Sequence, residues 1–201
     1  IAALDNTPVQ GMTLGDAVDR MRGAAGAKMK LTVLRKGEKK PFDLSLVRAV
    51  VHVATVKFHR EGNIGYIRLT SFNQEAAPGI ERAVKSLQKQ IGAGLKGYVL
   101  DLRNNPGGLL DQAIDVSDDF LQAGTIVSTR GRHSDDNAKY SAHAGDITGG
   151  KPMIVLINSG TASASEIVAC ARLDDKLAIS LGMTSFGKGS VQTIIPLSEG
   201  G

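Results

Sequence analysis

The 201-residue sequence contains no tryptophan, and all its aromatic residues together amount to 4%. So few aromatic side chains leave little for stacking on nucleic-acid bases. The net charge of +4 also comes from scattered residues, and the densest basic cluster, 35–40, surrounds Gly37 between two strand-like segments. Such a cluster is typical of a solvated hairpin turn. We therefore expect no nucleic-acid partner.

A single cysteine, Cys170, excludes a disulfide within the chain. It lies in a segment that predicts a helix, where we expect it to be a small structural side chain. No apolar stretch approaches the ~18 residues that a membrane-spanning helix needs. The chain begins inside an apolar segment and ends at Ser-Glu-Gly-Gly, so we expect a fragment of a longer protein.

Periodicity predicts two structural units. In the first, a short helix that begins after Thr13 precedes a β-hairpin around Gly37, as expected for part of a small α+β module at 1–46. In the second, apolar strands alternate with amphipathic helices, which predicts an α/β core with largely parallel strands. The strands of this unit are expected at 63–72, 97–102, 125–129, 152–158 and 177–181, and the helices at 77–92, 109–121 and 163–173. The polar segment 130–150 predicts a surface hairpin.

The segment INSGTASASEIVACAR, at 157–172, is the first candidate for chemistry. A strand, a turn of small residues and a helix can place a nucleophile at a helix N-terminus, where the helix dipole favours negative charge. The residues from Ser163 to Glu166 also match the S-x-x-E capping box, in which the serine oxygen caps the helix and the glutamate reaches back. Local spacing alone favours the capping box.

A nucleophilic serine needs a base. The sequence contains four histidines, His52, His59, His133 and His143. None of them lies in a motif that identifies it as this base. His133 and His143 also fit no standard spacing of metal ligands. Lys188, between two glycines in SFGKGSVQ, could act as a base if burial kept it neutral, although its spacing is more typical of a surface turn. A phosphate-binding loop is disfavoured because the upstream glycine pattern is missing.

The segment DLRNNPGG, at 101–108, is the third candidate. A strand end followed by Asn-Asn-Pro-Gly-Gly can present backbone N–H groups to an acyl oxygen, as in an oxyanion hole. An ordinary tight turn between a strand and a helix explains the same residues equally well.

Three segments in one order, GYVLDLRNNPGGLL, VLINSGTASASEIVA and SFGKGSVQTIIPL, resemble the C-terminal processing proteases, the S41 serine peptidases. Residues 1–46 resemble the latter half of that family's PDZ domain. The resemblance implies an α/β, ClpP/crotonase-like catalytic core at 47–201, truncated at its C-terminal end. It implies cleavage of proteins near their C-termini without a metal or other cofactor. It also implies an extracytoplasmic location, such as the bacterial periplasm.

The resemblance also assigns roles to individual residues. Ser163 would be the nucleophile, Lys188 the general base and Gln192 the residue that orients the lysine. The oxyanion would be bound by the backbone N–H of Ala164 and by that of one glycine, Gly107 or Gly108.

The substrates implied are polypeptides with accessible C-terminal tails, and a homo-oligomer and an adaptor protein stay open as partners. Two other functions remain open. One is a catalytically silent peptide-binding scaffold of the same fold, although the intact Ser163, Lys188 and Gln192 argue against it. The other is a crotonase-type acyl-CoA enzyme, which would not account for a PDZ-like half-domain.

Overall fold

The computed structural model describes residues 1–51, 53–174 and 178–192. The chain divides into two compact units, Ile1–His52 and Val53–Gly201, where the sequence predicted a boundary after residue 46. Within the described ranges, no helix is both long and apolar enough to cross a membrane.

The first unit is a four-stranded antiparallel sheet with one helix, of which the sequence predicted the helix and one hairpin. Its elements are β1 (Ala3–Leu4), β2 (Thr7–Pro8), α1 (Leu14–Met21), β3 (Lys28–Val33) and β4 (Phe42–Val47), and the strand order is β2-β1-β3-β4. Thr13 caps α1, since its side chain accepts the N–H of Asp16 at 3.1 Å. The β3–β4 hairpin turns at Gly37, whose φ of +98° suits glycine.

The second unit contains a five-stranded sheet with the order β11-β10-β7-β6-β5. Strands β6, β7, β10 and β11 are parallel, and only β5 is antiparallel to its neighbour, so the predicted parallel core is confirmed. The strands of this unit are β5 (Val56–Glu61), β6 (Ile64–Leu69), β7 (Gly97–Asp101), β8 (Thr125–Thr129), β9 (Ala138–Ser141), β10 (Met153–Ile157) and β11 (Ala178–Gly182). The helices are α2 (Ala76–Ile91), α3 (Leu110–Asp119) and α4 (Ala164–Asp174).

Strand β8 departs from the predicted pattern. It pairs with β9 in a separate two-stranded antiparallel sheet and not with the five-stranded sheet. Its Ile126 packs with Leu121 and Ala171 in a small second cluster, which explains why an apolar strand need not join the main core. The polar segment 130–150 thus contributes one strand of a hairpin that begins earlier than predicted.

The main core lies between the sheet and its helices. Helix α2 contributes the predicted stripe, with Ile80, Val84 and Leu87 fully buried and Ile91 partly buried. Each such buried aliphatic side chain contributes about 1.5–3 kcal/mol of hydrophobic free energy. Facing them are alternate residues of the parallel strands, Ile67, Leu69, Tyr98, Leu100, Met153 and Val155.

Parallel alignment brings three connections to one edge of the sheet. Strands β7, β10 and β11 run in the same direction, so the segments that follow them all leave from the carboxyl edge. These segments begin at Leu102, Asn158 and Met183 and hold all three candidate motifs. The carboxyl edge of an open α/β sheet is the usual place for a ligand site.

Candidate active site

Ser163 occupies the turn between β10 and α4, and its backbone is strained. Its φ is +57°, a conformation that residues with a side chain rarely adopt and that costs about 1–3 kcal/mol. The residue that caps a helix normally has an extended backbone instead. A strained turn from strand to helix is the conformation that exposes the nucleophilic serine of α/β-hydrolases.

The capping-box interpretation is half right. The N–H of Ser163 donates to Oε2 of Glu166 at 2.7 Å, as predicted for the glutamate. The serine side chain does not cap, because the N–H of Glu166 donates to the backbone carbonyl of Ser163 at 2.8 Å. In the part of the chain that the structure describes, the Oγ of Ser163 has no hydrogen-bond partner. This hydroxyl is therefore available for chemistry.

Asn105 joins the turn after β7 to the turn that holds the serine. It is fully buried, its Nδ2 donates to the carbonyl of Leu69 at 2.9 Å, and its Oδ1 accepts the N–H of Gly107 at 2.9 Å. Its own carbonyl accepts the N–H of Ala162 and the hydroxyl of Ser165, both at 3.0 Å. With its polar groups paired in this way, Asn105 holds the two turns together.

Gly107 packs so closely on the serine turn that no side chain fits there. Its φ is +99°, and a Cβ atom would lie 2.7 Å from the carbonyl oxygen of Ala162 and 3.0 Å from the nitrogen of Ala164. On the other side, its carbonyl accepts the N–H of Phe72 at 3.0 Å. The predicted Asn-Pro-Gly-Gly turn is thus in contact with the segment that carries Ser163.

Asp101, at the end of β7, anchors the beginning of this turn. Its fully buried carboxylate accepts hydrogen bonds from Arg68, Arg103 and the hydroxyl of Tyr66. Burial alone would raise the pKa of Asp101, but the hydrogen bonds from Arg103 and Tyr66 outweigh it and lower the pKa to about 2. The carboxylate is therefore ionised at neutral pH.

The segment after β11 is attached to the serine-bearing segment by its backbone. The N–H of Met183 donates to the carbonyl of Ile157 at 3.2 Å, and that of Phe186 donates to the carbonyl of Thr161 at 2.9 Å. These bonds bring Lys188, which is partly buried, close to the turn that holds Ser163.

The side chain of Lys188 contacts Gln192 in this structure. Its Nζ donates to Oε1 of Gln192 at 3.4 Å. Among the described residues, no hydrogen bond joins this Nζ to the Oγ of Ser163. Catalytic hydrogen bonds often form only when substrate is present.

Glu166 connects the serine segment to the lysine segment. Its Oε1 accepts the hydroxyl of Ser185 and the N–H of Gly187, both at 2.6 Å, and its Oε2 accepts the N–H groups of Ser163 and Lys188, at 2.7 and 3.0 Å. Burial would raise the pKa of Glu166, but these four hydrogen bonds outweigh it and hold the pKa below its usual value. The carboxylate is negative in the first turn of α4, where the helix dipole favours it.

Five of the six predicted site residues line one pocket of about 250 Å³. They are Ser163, Ala164, Lys188, Gln192 and Gly108, and the remaining predicted residue, Gly107, is buried beside them. The rest of the lining consists of Leu109, Leu110, Ile167, Ser190 and Val191. The pocket therefore combines a hydroxyl, an amine and backbone groups with an apolar wall.

The described histidines lie elsewhere. His59 stacks on Tyr66 with ring centroids 4.6 Å apart, and Nδ1 of His143 lies 2.9 Å from Oδ2 of Asp118. His133 is exposed, and none of these three lines the pocket. His52 lies outside the described residues, as does the end of the third motif, 193–197. Within the described ranges, no cluster of three or more metal-ligating side chains occurs.

Sequence reasoning missed the contributions of Asn105 and of Glu166 beyond the capping box. The partners of Asn105 lie 36 and 60 residues away, and two of those of Glu166 lie 21 and 22 residues away. Local patterns carry no signal for such distant contacts. For Asn105, the available hint was an asparagine before Pro-Gly-Gly, where its side chain can bond the backbone two residues on.

Comparison with known proteins shows which family the chain belongs to. The model of peptidase family S41 matches residues 63–201. The carboxy-terminal-processing protease of Bartonella bacilliformis is 54% identical over 202 residues, which cover the whole chain and 46% of that protein. The carboxyl-terminal-processing protease of Synechocystis is 38% identical and is covered over 47% of its length. The chain spans about half the length of these relatives.

The fold of the chain is similar to that of solved peptidase structures. The photosystem II D1 C-terminal processing protease is 33% identical, with a TM-score of 0.65 over the whole chain and 55% of that protein. A peptidase-like protein from Parabacteroides merdae, 21% identical with a TM-score of 0.55 over 68% of the chain and 45% of that protein, shares the fold. The mixed α/β architecture is thus one that other peptidase structures have.

Proposed function

Because the chain belongs to peptidase family S41, we propose that it supplies the catalytic centre of a serine endopeptidase with a Ser–Lys dyad. In this proposal Ser163 is the nucleophile, Lys188 the general base and Gln192 the residue that orients the lysine. The observation that carries it is the shared pocket, which is lined by both a strained serine and a lysine. Within the described residues, no histidine competes for the role of base there.

The proposed reaction is acyl transfer in two steps. The Nζ of Lys188 takes the proton from Ser163 as the oxygen attacks a peptide carbonyl, and the resulting ammonium then protonates the leaving nitrogen as the C–N bond breaks. Water then attacks the acyl-enzyme while the lysine takes a proton from it. As the ester C–O bond breaks, this proton passes to Oγ of Ser163 and the new C-terminus is released. In this structure Lys188 donates to Gln192, so the proposal requires rotation of the lysine side chain towards Ser163.

We assign the oxyanion donors to the N–H groups of Ala164 and Gly108. The sequence left Gly107 and Gly108 as alternatives. The N–H of Gly107 already donates to Oδ1 of Asn105 at 2.9 Å, whereas Gly108 lines the pocket beside Ala164. Two convergent backbone donors of this kind stabilise the charge that develops on the acyl oxygen.

The finer architecture and biology are part of the same proposal. The antiparallel sheet and helix of the first unit fit the latter half of a PDZ domain, and the parallel sheet of the second fits a ClpP/crotonase-like core. Cleavage near the C-termini of polypeptides is supported by the names of the relatives, which are carboxy-terminal-processing proteases. We also propose an extracytoplasmic location. A homo-oligomer and an adaptor protein stay predictions.

The test uses an unfolded protein substrate and the full-length protein. Ser163→Ala, Lys188→Ala and Lys188→Arg should each abolish cleavage while the melting temperature stays close to that of the wild type. The arginine variant should fail because a guanidinium group stays charged and cannot accept the proton. The control is His59→Ala, which removes an exposed imidazole away from the pocket and should retain wild-type cleavage. Product masses from mass spectrometry report the cleavage position.

Several results would contradict the proposal. Cleavage by Ser163→Ala or Lys188→Arg at the wild-type rate would exclude the dyad. Binding of a peptide by the wild-type protein without cleavage would instead favour the silent scaffold. Hydrolysis of an acyl-CoA thioester but not of a peptide would favour the crotonase-type enzyme.

A further inference from the structure

The four hydrogen bonds of Glu166 come from both segments that carry the proposed catalytic pair. One donor is the backbone of Ser163, and two are the backbones of Gly187 and Lys188. The fourth is the hydroxyl of Ser185 in the same segment as the lysine. A capping box explains the first bond only, since the others come from residues 19–22 positions further along the chain.

We propose that Glu166 is a positioning residue that holds the Lys188 segment in register with Ser163, so that the proton can pass between their side chains. This inference rests on the proposed function, because it gives the carboxylate a role in the same reaction. Glu166 lies in the first turn of α4, and its position is therefore fixed by the helix whose preceding residue is Ser163. The lysine segment, in contrast, is irregular from Met183 to Gln192.

The geometry requires an ionised carboxylate at this position. A carboxylate has two oxygens with about four acceptor sites and no donor, which matches the four donors around Glu166. Glutamine has almost the same size but only one acceptor oxygen. An NH2 group in place of Oε2 would face the N–H groups of Ser163 and Lys188, and in place of Oε1 it would face the N–H of Gly187. Glu166→Gln therefore breaks one half of the connection without leaving a cavity.

Proton transfer is sensitive to such a loss. A general base works when its nitrogen is about 2.6–3.2 Å from the proton-bearing oxygen. A displacement of 1 Å can cost about 100-fold in rate. Among the described residues, the other hydrogen bonds from this segment to the serine-bearing segment come from Met183 and Phe186, which lie upstream of the lysine. The bonds of Glu166 to Gly187 and Lys188 are the ones next to the base itself.

The kinetic test compares variants of the full-length protein on one peptide substrate. Glu166→Gln should lower kcat at least about 100-fold and change KM less than about threefold, because the loss affects the chemical step and not the apolar wall of the pocket. Ser185→Ala removes a single donor and should lower kcat about 3- to 10-fold, and Ser185→Thr, which keeps the hydroxyl, should restore it. The control Glu81→Gln makes the same substitution at an exposed position on α2 and should stay within twofold of the wild type.

A second measurement does not depend on activity. Amide hydrogen exchange should become faster in Glu166→Gln at Ser163, Gly187 and Lys188 together, and it should stay unchanged there in Glu81→Gln. Faster exchange in one segment alone, or an unchanged kcat, would overturn the inference. If Glu166→Gln lowers the melting temperature too far for assay, the two Ser185 variants carry the kinetic test.

The same experiment separates failure of the inference from failure of the proposed function. If the wild-type protein cleaves no peptide, the proposed reaction is wrong, and the exchange data still report whether Glu166 connects the two segments. If the wild-type protein cleaves normally and the Glu166→Gln variant is fully active, the role inferred for Glu166 is wrong and the proposed Ser–Lys dyad is unaffected.

Discussion

Asp119 at the end of α3 should make the protein less stable as the pH rises. Its Oδ2 is buried and unpaired within the part of the chain that the structure describes. Burial raises its pKa to about 7, and the negative charges of Glu81, Asp118 and Asp115 act in the same direction. An unfolded chain releases this proton near pH 4, so between pH 4 and 7 the native state holds a proton that the unfolded state has lost. The free energy of unfolding must therefore fall with pH in this window.

The magnitude follows from the pKa difference. Each pH unit in the window is worth about 1.4 kcal/mol, so the step from pH 5 to pH 7 removes at most about 2.7 kcal/mol. Because the side chain is partly exposed, we expect about 1–2 kcal/mol. Asp119→Asn cannot ionise and should lack this loss. Urea unfolding of both proteins at pH 5 and pH 8 measures the difference between them at each pH, which cancels any fixed effect of the amide.

A matched Asp→Asn substitution on the same helix should change the stability at pH 8 in the opposite direction. Asp111 lies exposed in the first turn of α3, where a carboxylate is favourable, so Asp111→Asn should cost a few tenths of a kcal/mol at pH 8. If the stability difference between Asp119→Asn and the wild type is the same at pH 5 and pH 8, the assignment of a buried, protonated Asp119 is wrong.

Two further substitutions test how the site is supported. Asp101→Asn should lower the free energy of unfolding by about 2–3 kcal/mol. This loss is smaller than for a fully buried ion pair because Arg68 and Arg103 reach solvent. The native pKa of Asp101, about 2, also predicts that the stability of the wild type falls between pH 4 and pH 2, which urea unfolding can measure. Gly107→Ala should lower both the melting temperature and peptide cleavage, the latter at least about 100-fold, since its Cβ would collide with Ala162 at a φ of +99°. Gly62→Ala, at a φ of +57° with open space around it, should cost about 1 kcal/mol and keep full cleavage.

The parallel core could be predicted because its signals are local. The stripe of Ile80, Val84 and Leu87 repeats at the helical period, and each buried strand is a short apolar segment between turn residues. Once the strands are parallel, the segments that follow β7, β10 and β11 leave from the same edge of the sheet, so the placement of the three motifs at that edge followed from the sequence. Strand β8 has the same local signal, but its pairing with β9 depends on which surface buries Ile126. No local pattern contains that information.

The details that decide the chemistry were less predictable. The S-x-x-E spacing correctly predicted the bond from Glu166 to the backbone of Ser163 and wrongly predicted that the serine oxygen caps the helix. The difference is the φ of Ser163, which local spacing does not determine. The choice between Gly107 and Gly108 likewise depends on the side chain of Asn105, which accepts one of the two N–H groups.

The backbone strain at Ser163 is offset by the hydrogen bonds that this residue makes. Its positive φ costs about 1–3 kcal/mol. Against this, its N–H bonds to the carboxylate of Glu166, and its carbonyl accepts the N–H groups of Glu166 and Ile167 at 2.8 and 3.1 Å. A hydrogen bond to a charged group is worth about 1.5–3 kcal/mol, enough to offset the strain. The same carboxylate that stabilises the strained serine also holds the lysine segment. Its loss should therefore disturb the conformation of the proposed nucleophile, Ser163, and the position of the proposed base, Lys188, together.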